Sequence, residues 1–311
     1  MNQRLYKIIA IVSALLTVFI IYYFYNGKEK KDESQIPVTD SLTFVPGMNY
    51  VTPVPLPDTI DFAGEKVPLD IFYVREQLER ELTVNTYWHS STLLLLKRTG
   101  RWLPVIDPIL AKNGIPADFR YLAMAESGLM NVVSPSGAVG FWQFLEKTGK
   151  EYGLVVNKEV DERYDVAKAT EAACKYLKAS HAKFGSWTLV AASYNAGQGR
   201  IDDVRDDQLT ESYYEMVLSD ETSRYVYRIL AIKYICLDPL RYGFKLESGD
   251  YYNPLKTTPV LVNQTISNLP SWARQHKTTY RMLKELNPWL RSDKLNVRKG
   301  EEYIINLPGP A

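Results

Sequence analysis

Between Ala123 and Phe144 the chain reads AMAESGLMNVVSPSGAVGFWQF. One carboxylate, Glu126, closes an apolar run, and a loop rich in Ser, Gly and Pro follows at once. In the segment leading to it, GIPADFRYLAMAESGL, Pro116 suits a helix start, where its missing amide proton costs nothing. Phe119, Leu122 and Ala123 then share one face by i, i+3, i+4 spacing, and the next position on that face is Glu126. Gly128 ends the helix. A carboxyl on the inward face of a last helical turn is discouraged from ionising by desolvation and by the negative end of the helix dipole. Such a group keeps its proton near neutral pH, as a general acid must. On the helix alone, a Glu satisfied by a local hydrogen bond or ion pair is an equal alternative.

The loop SPSGAVGFWQF adds Gly137 and Gly140 for positive φ and close backbone approach. It also brings Ser134 and Gln143 as hydrogen-bonding groups and Trp142 as a flat surface. Taken by itself, it is only a connector between helices. Glu146, Asp161 and Glu171 are further acids, but they fall where helical surfaces or caps are expected. His89, His181 and His276 are scattered without metal-ligand spacing, so a metal site is not expected. Cys174 and Cys236 lie in helical segments and read as buried free thiols. The charge balance, 37 basic against 36 acidic residues, gives no bulk case for nucleic acid. The 22 Tyr and 6 Trp suit a core and also suit flat, amphipathic ligands such as sugars.

Elements that would position these groups follow from pattern. VAKATEAACKYLKASHAKFG places Val166, Ala169, Ala173, Tyr176, Leu177 and Ser180 on one stripe, with Gly185 as the stop. SWTLVAASYNAG reads as a short apolar helix. SRYVYRILAIKYICL reads as another, with Val226, Ile229 and Leu230 inward. Strand signals are scarce until the tail, where a β-like run, two short helical runs and EYIINLP describe a small β-α-α-β module. At the other end, Ile8 to Tyr25 is apolar and uncharged, about as long as a bilayer span. No A-x-A-like cleavage site follows it. The expectation is an uncleaved signal anchor over residues 1–25, with the transmembrane helix at 8–25. Arg4 and Lys7 precede the run and Lys28, Lys30 and Lys31 follow it, so charge hardly decides the orientation. An extended, proline-punctuated linker is expected over 26–68.

Glu126-Ser127, then Ser134, then GAVGFWQF, resembles the catalytic segment of the soluble-lytic-transglycosylase domain, a goose-lysozyme-like fold. The likeness continues in order. DERYDVAKATEAACKYL resembles that family's Asp-rich helix start. Tyr194 to Gly197 resembles its Tyr-Asn-Ala-Gly motif. Glu221, Thr222, Tyr225 and Val226 resemble its Glu-Thr…Tyr-Val motif. Each piece has a plainer reading as a helix stop, a core tyrosine or a first-turn acid. Together they span roughly 100–236. The tail resembles a LysM-type sugar-binding module, although VNQTISNLP stands where Gly-Asp-Thr usually does, so its fold is better supported than its glycan binding. With anchor and tail, the chain looks most like the membrane-bound type D of lytic murein transglycosylases. The implied architecture is mainly α: a lysozyme-like helical catalytic domain over 69–245, with the N-terminal membrane helix and a degenerate LysM-like module over 250–311.

The resemblance implies cleavage of the MurNAc-β-1,4-GlcNAc bond of peptidoglycan without water, metal or cofactor, leaving 1,6-anhydro-MurNAc ends, with Glu126 acting first as acid and then as base. It implies that Ser134 and Gln143 position the N-acetyl sugar. Tyr194 and Glu221 would border the reacting bond, and Asn195 and Tyr225 would support that wall. The implied partners are glycan strands and the cytoplasmic membrane. A single-pass inner-membrane protein with its N-terminus inside and its catalytic domain in the periplasm is therefore expected. The alternatives are a hydrolytic muramidase on the same fold and a non-catalytic wall-binding protein.

Overall fold

The computed structural model describes residues 3–26 and 51–310; in the first helix the side chains described are those of Gln3 and residues 12–23. The chain divides into two compact units, Met1–Thr52 and Pro53–Ala311. The first unit contains helix α1 (Gln3–Asn26). Among the described residues no helix is long and apolar enough to cross a membrane. The run expected to do so, Ile8 to Tyr25, reaches past the side chains described at both ends. Lys28, Lys30, Lys31 and the greater part of the expected linker lie outside the described residues.

The second unit is mainly helical. A two-residue hairpin, β1 (Asp61–Phe62) and β2 (Glu65–Lys66), precedes α2 (Phe72–Tyr87), α3 (His89–Lys112) and α4 (Phe119–Ser127). Then come α5 (Glu146–Glu151), α6 (Val166–Phe184), α7 (Trp187–Ala196), α8 (Gln198–Gln208) and α9 (Asp220–Leu237). Helix α9 is the hub: α2, α4 and α7 all pack on it. Its Tyr225, Val226, Ile229 and Leu230 are buried, on the stripe that the period predicts. Helix α6 is capped by Asp165, whose side chain accepts from Lys168 N at 3.0 Å, and is stopped by Gly185 at φ 69°. Cys174 and Cys236 are free thiols on α6 and α9.

Residues 53–68, expected in the linker, instead belong to the core. Val54, Ile60, Phe62 and Val67 are buried among the helices. Lys233 of α9 grips the hairpin through Asp61 Oδ2 at 3.0 Å and reaches Asp118 Oδ2 at 2.7 Å. Glu65 sits at the N-terminus of α7 and accepts from Trp187 N at 2.5 Å and Thr188 N at 2.9 Å. Unpaired amides and the positive helix end favour an anion there. The prolines do keep this segment extended. Extended backbone can still bury alternate side chains, and that is the correction.

The tail forms the expected β-α-α-β module: β3 (Thr257–Val262), α10 (Leu269–Gln275), α11 (Tyr280–Leu286) and β4 (Tyr303–Pro308). β3 and β4 are antiparallel, with Val260 opposite Ile305. Buried Asn287 ties α11 to β4 by exchanging hydrogen bonds of 2.7 Å with both backbone groups of Asn306. The module is fastened to the helical part through residues 159–161. Asp161 N donates to Trp289 O at 2.9 Å, Arg291 N donates to Glu159 O at 2.7 Å, and Val160 is buried within the tail's own core. Val160→Ala removes two methylenes' worth of that seam and is expected to cost about 2 kcal/mol. Urea unfolding should show a lower midpoint, with faster amide exchange at Asp161 and Arg291. An unchanged midpoint and unchanged exchange would mean that the seam holds without Val160.

Candidate active site

Helix α4 begins at Phe119, three residues after the expected Pro116. Pro116 to Asp118 form a tighter turn in which Phe119 N donates to Pro116 O at 3.1 Å and Arg120 N to Ala117 O at 3.0 Å. Phe119, Leu122 and Ala123 are fully buried on the inward face, and Glu126 follows them there, partly buried. Gly128 takes φ 61° and closes the helix with a 2.9 Å bond from its N–H to Met124 O. From α9, the Tyr225 hydroxyl donates to Glu126 Oε1. Burial pushes the Glu126 carboxyl up to about 7, and the charge of Glu221 adds to the rise. The Tyr225 hydrogen bond and the positive charge of Arg228 oppose it.

The loop after α4 is a folded turn system. Val139 pairs with Val133 and with Phe144 in short antiparallel bridges. Ser134 Oγ accepts from Ala138 N at 3.0 Å and lies 2.9 Å from Ser136 Oγ, so its hydroxyl shapes the turn. Gly140 adopts φ 82°, and a Cβ there would meet Arg163 O at 2.0 Å, so no side chain fits. Gln143 is held at φ 48°, with Nε2 donating to Gly140 O at 2.7 Å and Val132 O at 3.2 Å. Trp142, expected as a flat ligand surface, is wholly buried and donates Nε1–H to Thr170 Oγ1 at 2.9 Å. It is a core anchor for the loop.

Arg163 holds this loop from below. Its guanidinium donates to Gly137 O at 3.3 Å and Phe144 O at 3.2 Å. Asp161 fixes it with a fork of 2.9 and 2.7 Å bonds, and both residues are buried. At the end of α7, the Tyr194 hydroxyl donates to Trp142 O at 2.6 Å. Asn195 Oδ1 accepts from Thr222 Oγ1 at 2.9 Å, joining α7 to α9. Burial, then the neighbouring Glu126 charge, raises the Tyr194 and Tyr225 phenols well above the ordinary tyrosine range, so both stay hydrogen-bond donors.

Two cavities flank these groups. One, of about 310 Å³, is lined by Gln143, Tyr194 and Asn195 together with Phe144 and Tyr176. The other, of about 470 Å³, is lined by Glu126 with Glu81, Arg98, Arg224 and Arg228. Glu221 is exposed and accepts from Arg228 Nη1 at 3.1 Å. The remaining acids behave as surface or cap residues. Glu146 pairs with Lys150 at 2.6 Å, Glu171 accepts from Asn113 at 2.8 Å, and Asp161 caps a short turn. Among the described residues no group of three or more His, Cys, Asp or Glu side chains could hold a metal ion.

Sequence reasoning missed Glu81, Arg163, Arg224 and Arg228. Arg224 and Arg228 had a signal. They stand three and seven residues after Glu221, on the helix that carries Tyr225. Glu81 had none, because in REQLERELT it looks like a solvated charge, yet it is 1% exposed.

Residues 105–217 match the Transglycosylase SLT domain family, and residues 258–311 match the Soluble lytic transglycosylase C-terminal LysM-like domain family. The chain therefore carries a lysozyme-like SLT domain followed by a LysM-like domain. Among curated proteins it is similar to membrane-bound lytic murein transglycosylase D from two Escherichia coli strains, each 29% identical over 198 residues, or 61% of this chain and 43% of theirs. The chain thus spans less than half the length of the curated relatives it matches. Among solved structures, an inactive mutant of lytic transglycosylase Slt from Pseudomonas aeruginosa aligns over 49% of this chain and 26% of its own, at 20% identity and TM-score 0.36. That likeness is too slight to bear on the fold.

The raised carboxyl fixes a sign for stability. Glu126 ionises at about 7 when folded, against an ordinary 4.5. The folded state therefore loses stability as pH rises from 4.5 to about 7, by about 3 kcal/mol in full. Glu126→Gln removes that penalty. Its unfolding free energy should exceed wild type by up to about 3 kcal/mol at pH 8 and nearly equal it at pH 4. Equal stabilities at both pH values would show that the carboxyl is not raised.

Proposed function

We propose that this protein is a peptidoglycan lytic transglycosylase in which Glu126 does both halves of the reaction. The observation that carries the reading is one partly buried carboxyl, raised to about 7, opening onto a cavity without a second free carboxylate. Two-carboxylate glycosidases need a nucleophile or base opposite the acid. Glu81 is sealed beneath arginines, and Glu221 is exposed and paired with Arg228. The protonated Glu126 gives its proton to the glycosidic oxygen between MurNAc and GlcNAc. The N-acetyl group of MurNAc stabilises the oxocarbenium-like centre. The carboxylate then takes the proton of the C6 hydroxyl, and the 1,6-anhydro ring closes without water.

The other site residues take supporting roles. Gln143 and Ser134 position the N-acetyl sugar at the loop. Tyr194 and Glu221 border the reacting bond, Asn195 braces that wall through Thr222, and Tyr225 orients the carboxyl. The substrate lies outside the cytoplasmic membrane, so the protein is placed on that side. The uncharged Ile8 to Tyr25 run, within helix α1, anchors it with the N-terminus inside.

Purified sacculi digested in labelled water test the chemistry. Wild type should release fragments ending in 1,6-anhydro-MurNAc without labelled oxygen. Glu126→Gln should be slower by at least the roughly 10²–10⁴-fold assigned to one acid-base group, while Glu146→Gln and Glu171→Gln stay active. Labelled oxygen at the new terminus would replace this reading with a hydrolytic muramidase, and an active Glu126→Gln protein would remove Glu126 from the mechanism. For the anchor, the full chain should sediment with membranes and keep its N-terminus; a mature protein starting near Asn26 would overturn it.

A further inference from the structure

The cavity that Glu126 opens onto has a charge pattern the cleavage reaction does not require. Arg98, Arg224 and Arg228 line it, and Arg80 stands behind. Glu81 lies beneath them at 1% exposure, accepting from Arg80 Nη1 at 2.5 Å and Arg224 Nε at 2.7 Å, with Arg228 Nε 3.7 Å away. Glu221 takes one further bond from Arg228, and Arg98 gives one from Nη1 to Gly128 O at 3.2 Å. Four guanidiniums thus face two carboxylates, Glu126 apart. Each guanidinium has five N–H donors, and these contacts use only one or two on each of the three that line the cavity. The buried anion fixes the arginines in place but cannot neutralise them all. On the same cavity, Trp88, Val84 and Met130 are 62%, 42% and 40% exposed, leaving apolar surface beside the free donors.

We propose that this cavity binds an acidic peptide substituent carried by the sugar next to the bond being cleaved. Its carboxylate would take the forks of Arg224 and Arg98, and its aliphatic part would lie on Trp88, Val84 and Met130. Planar bidentate donors suit a carboxylate, and the apolar rim suits a short peptide better than a small inorganic anion. The cavity includes Glu126, so an occupant attached to the strand arrives with the glycosidic bond. The site then selects peptide-bearing strands over bare ones. This inference rests on the proposed function and names what else that site reads.

The test measures binding without turnover, in the full-length Glu126→Gln protein, with short glycan strands that carry or lack their peptides. Peptide-bearing strands should bind at least roughly tenfold tighter, as expected for hydrogen bonds to a charged group, and the advantage should shrink with added salt. Adding Arg98→Gln or Arg224→Gln should bring the ratio of the two affinities towards one. Arg98 has a single carbonyl partner, so its replacement leaves the buried Glu81 cluster intact if the Arg224 variant proves unstable. A ratio near one in the parent protein, or a ratio unmoved by both substitutions, overturns the proposal. Labelled oxygen in the cleavage products would overturn the lytic chemistry and leave this binding ratio standing, so the two failures are distinguishable.

Discussion

A carboxyl kept out of water at the last turn of α4 is the constraint from which the rest of this site follows. Glu126 continues an apolar face, so packing α4 on α9 carries it inward along with Phe119, Leu122 and Ala123. Gly128 then turns the chain away at φ 61°. Tyr225 stands where it can donate to the carboxyl, and the half-buried Tyr194 lies close enough to sense its charge. A folded protein tolerates this partly compensated burial because one such penalty is small beside its large apolar core, and because the protonated carboxyl carries no charge.

A second constraint runs from the tail to the loop. The Asp161–Arg163 pair is buried, so it is costly unless its hydrogen bonds are met. They are met on both sides. Arg163 gives its remaining donors to the carbonyls of Gly137 and Phe144, while the backbone of Asp161 is bonded to Trp289 in the LysM-like module. The module therefore does not hang from the helical part. It closes the underside of the segment that shapes the Gln143 loop. These bonds give the tail a structural share in the loop.

What could be read from sequence was what periodicity encodes. Glu126, the buried stripes of α6 and α9 and the two-helix tail are all placed by spacing, and spacing survives folding because helices are regular. What could not be read was which side of an irregular segment faces in. Trp142 looked like a platform and is a core anchor, because loop composition does not say where a ring points. Residues 53–68 looked like a tether and supply Phe62 to the core, because proline fixes extension and not exposure. Glu81 looked solvated, because Arg224 and Arg228, which cover it, lie on α9, distant in sequence.

The balance of forces on Glu126 also suits it to the two-step role proposed for it. Burial alone would carry its pKa further up, giving a weak acid that is hard to regenerate as a useful carboxylate. The Tyr225 hydroxyl and the Arg228 charge pull it back, and Glu221 restrains Arg228 while adding its own repulsion. The result is a value close to 7. A group that must first give a proton and then take one works best with its pKa near the ambient pH, where neither form is scarce. Beside it, Glu81 pairs with Arg224 at 2.7 Å and lies 3.7 Å from Arg228 Nε, so part of the positive charge in this cavity is answered by a carboxylate other than Glu126.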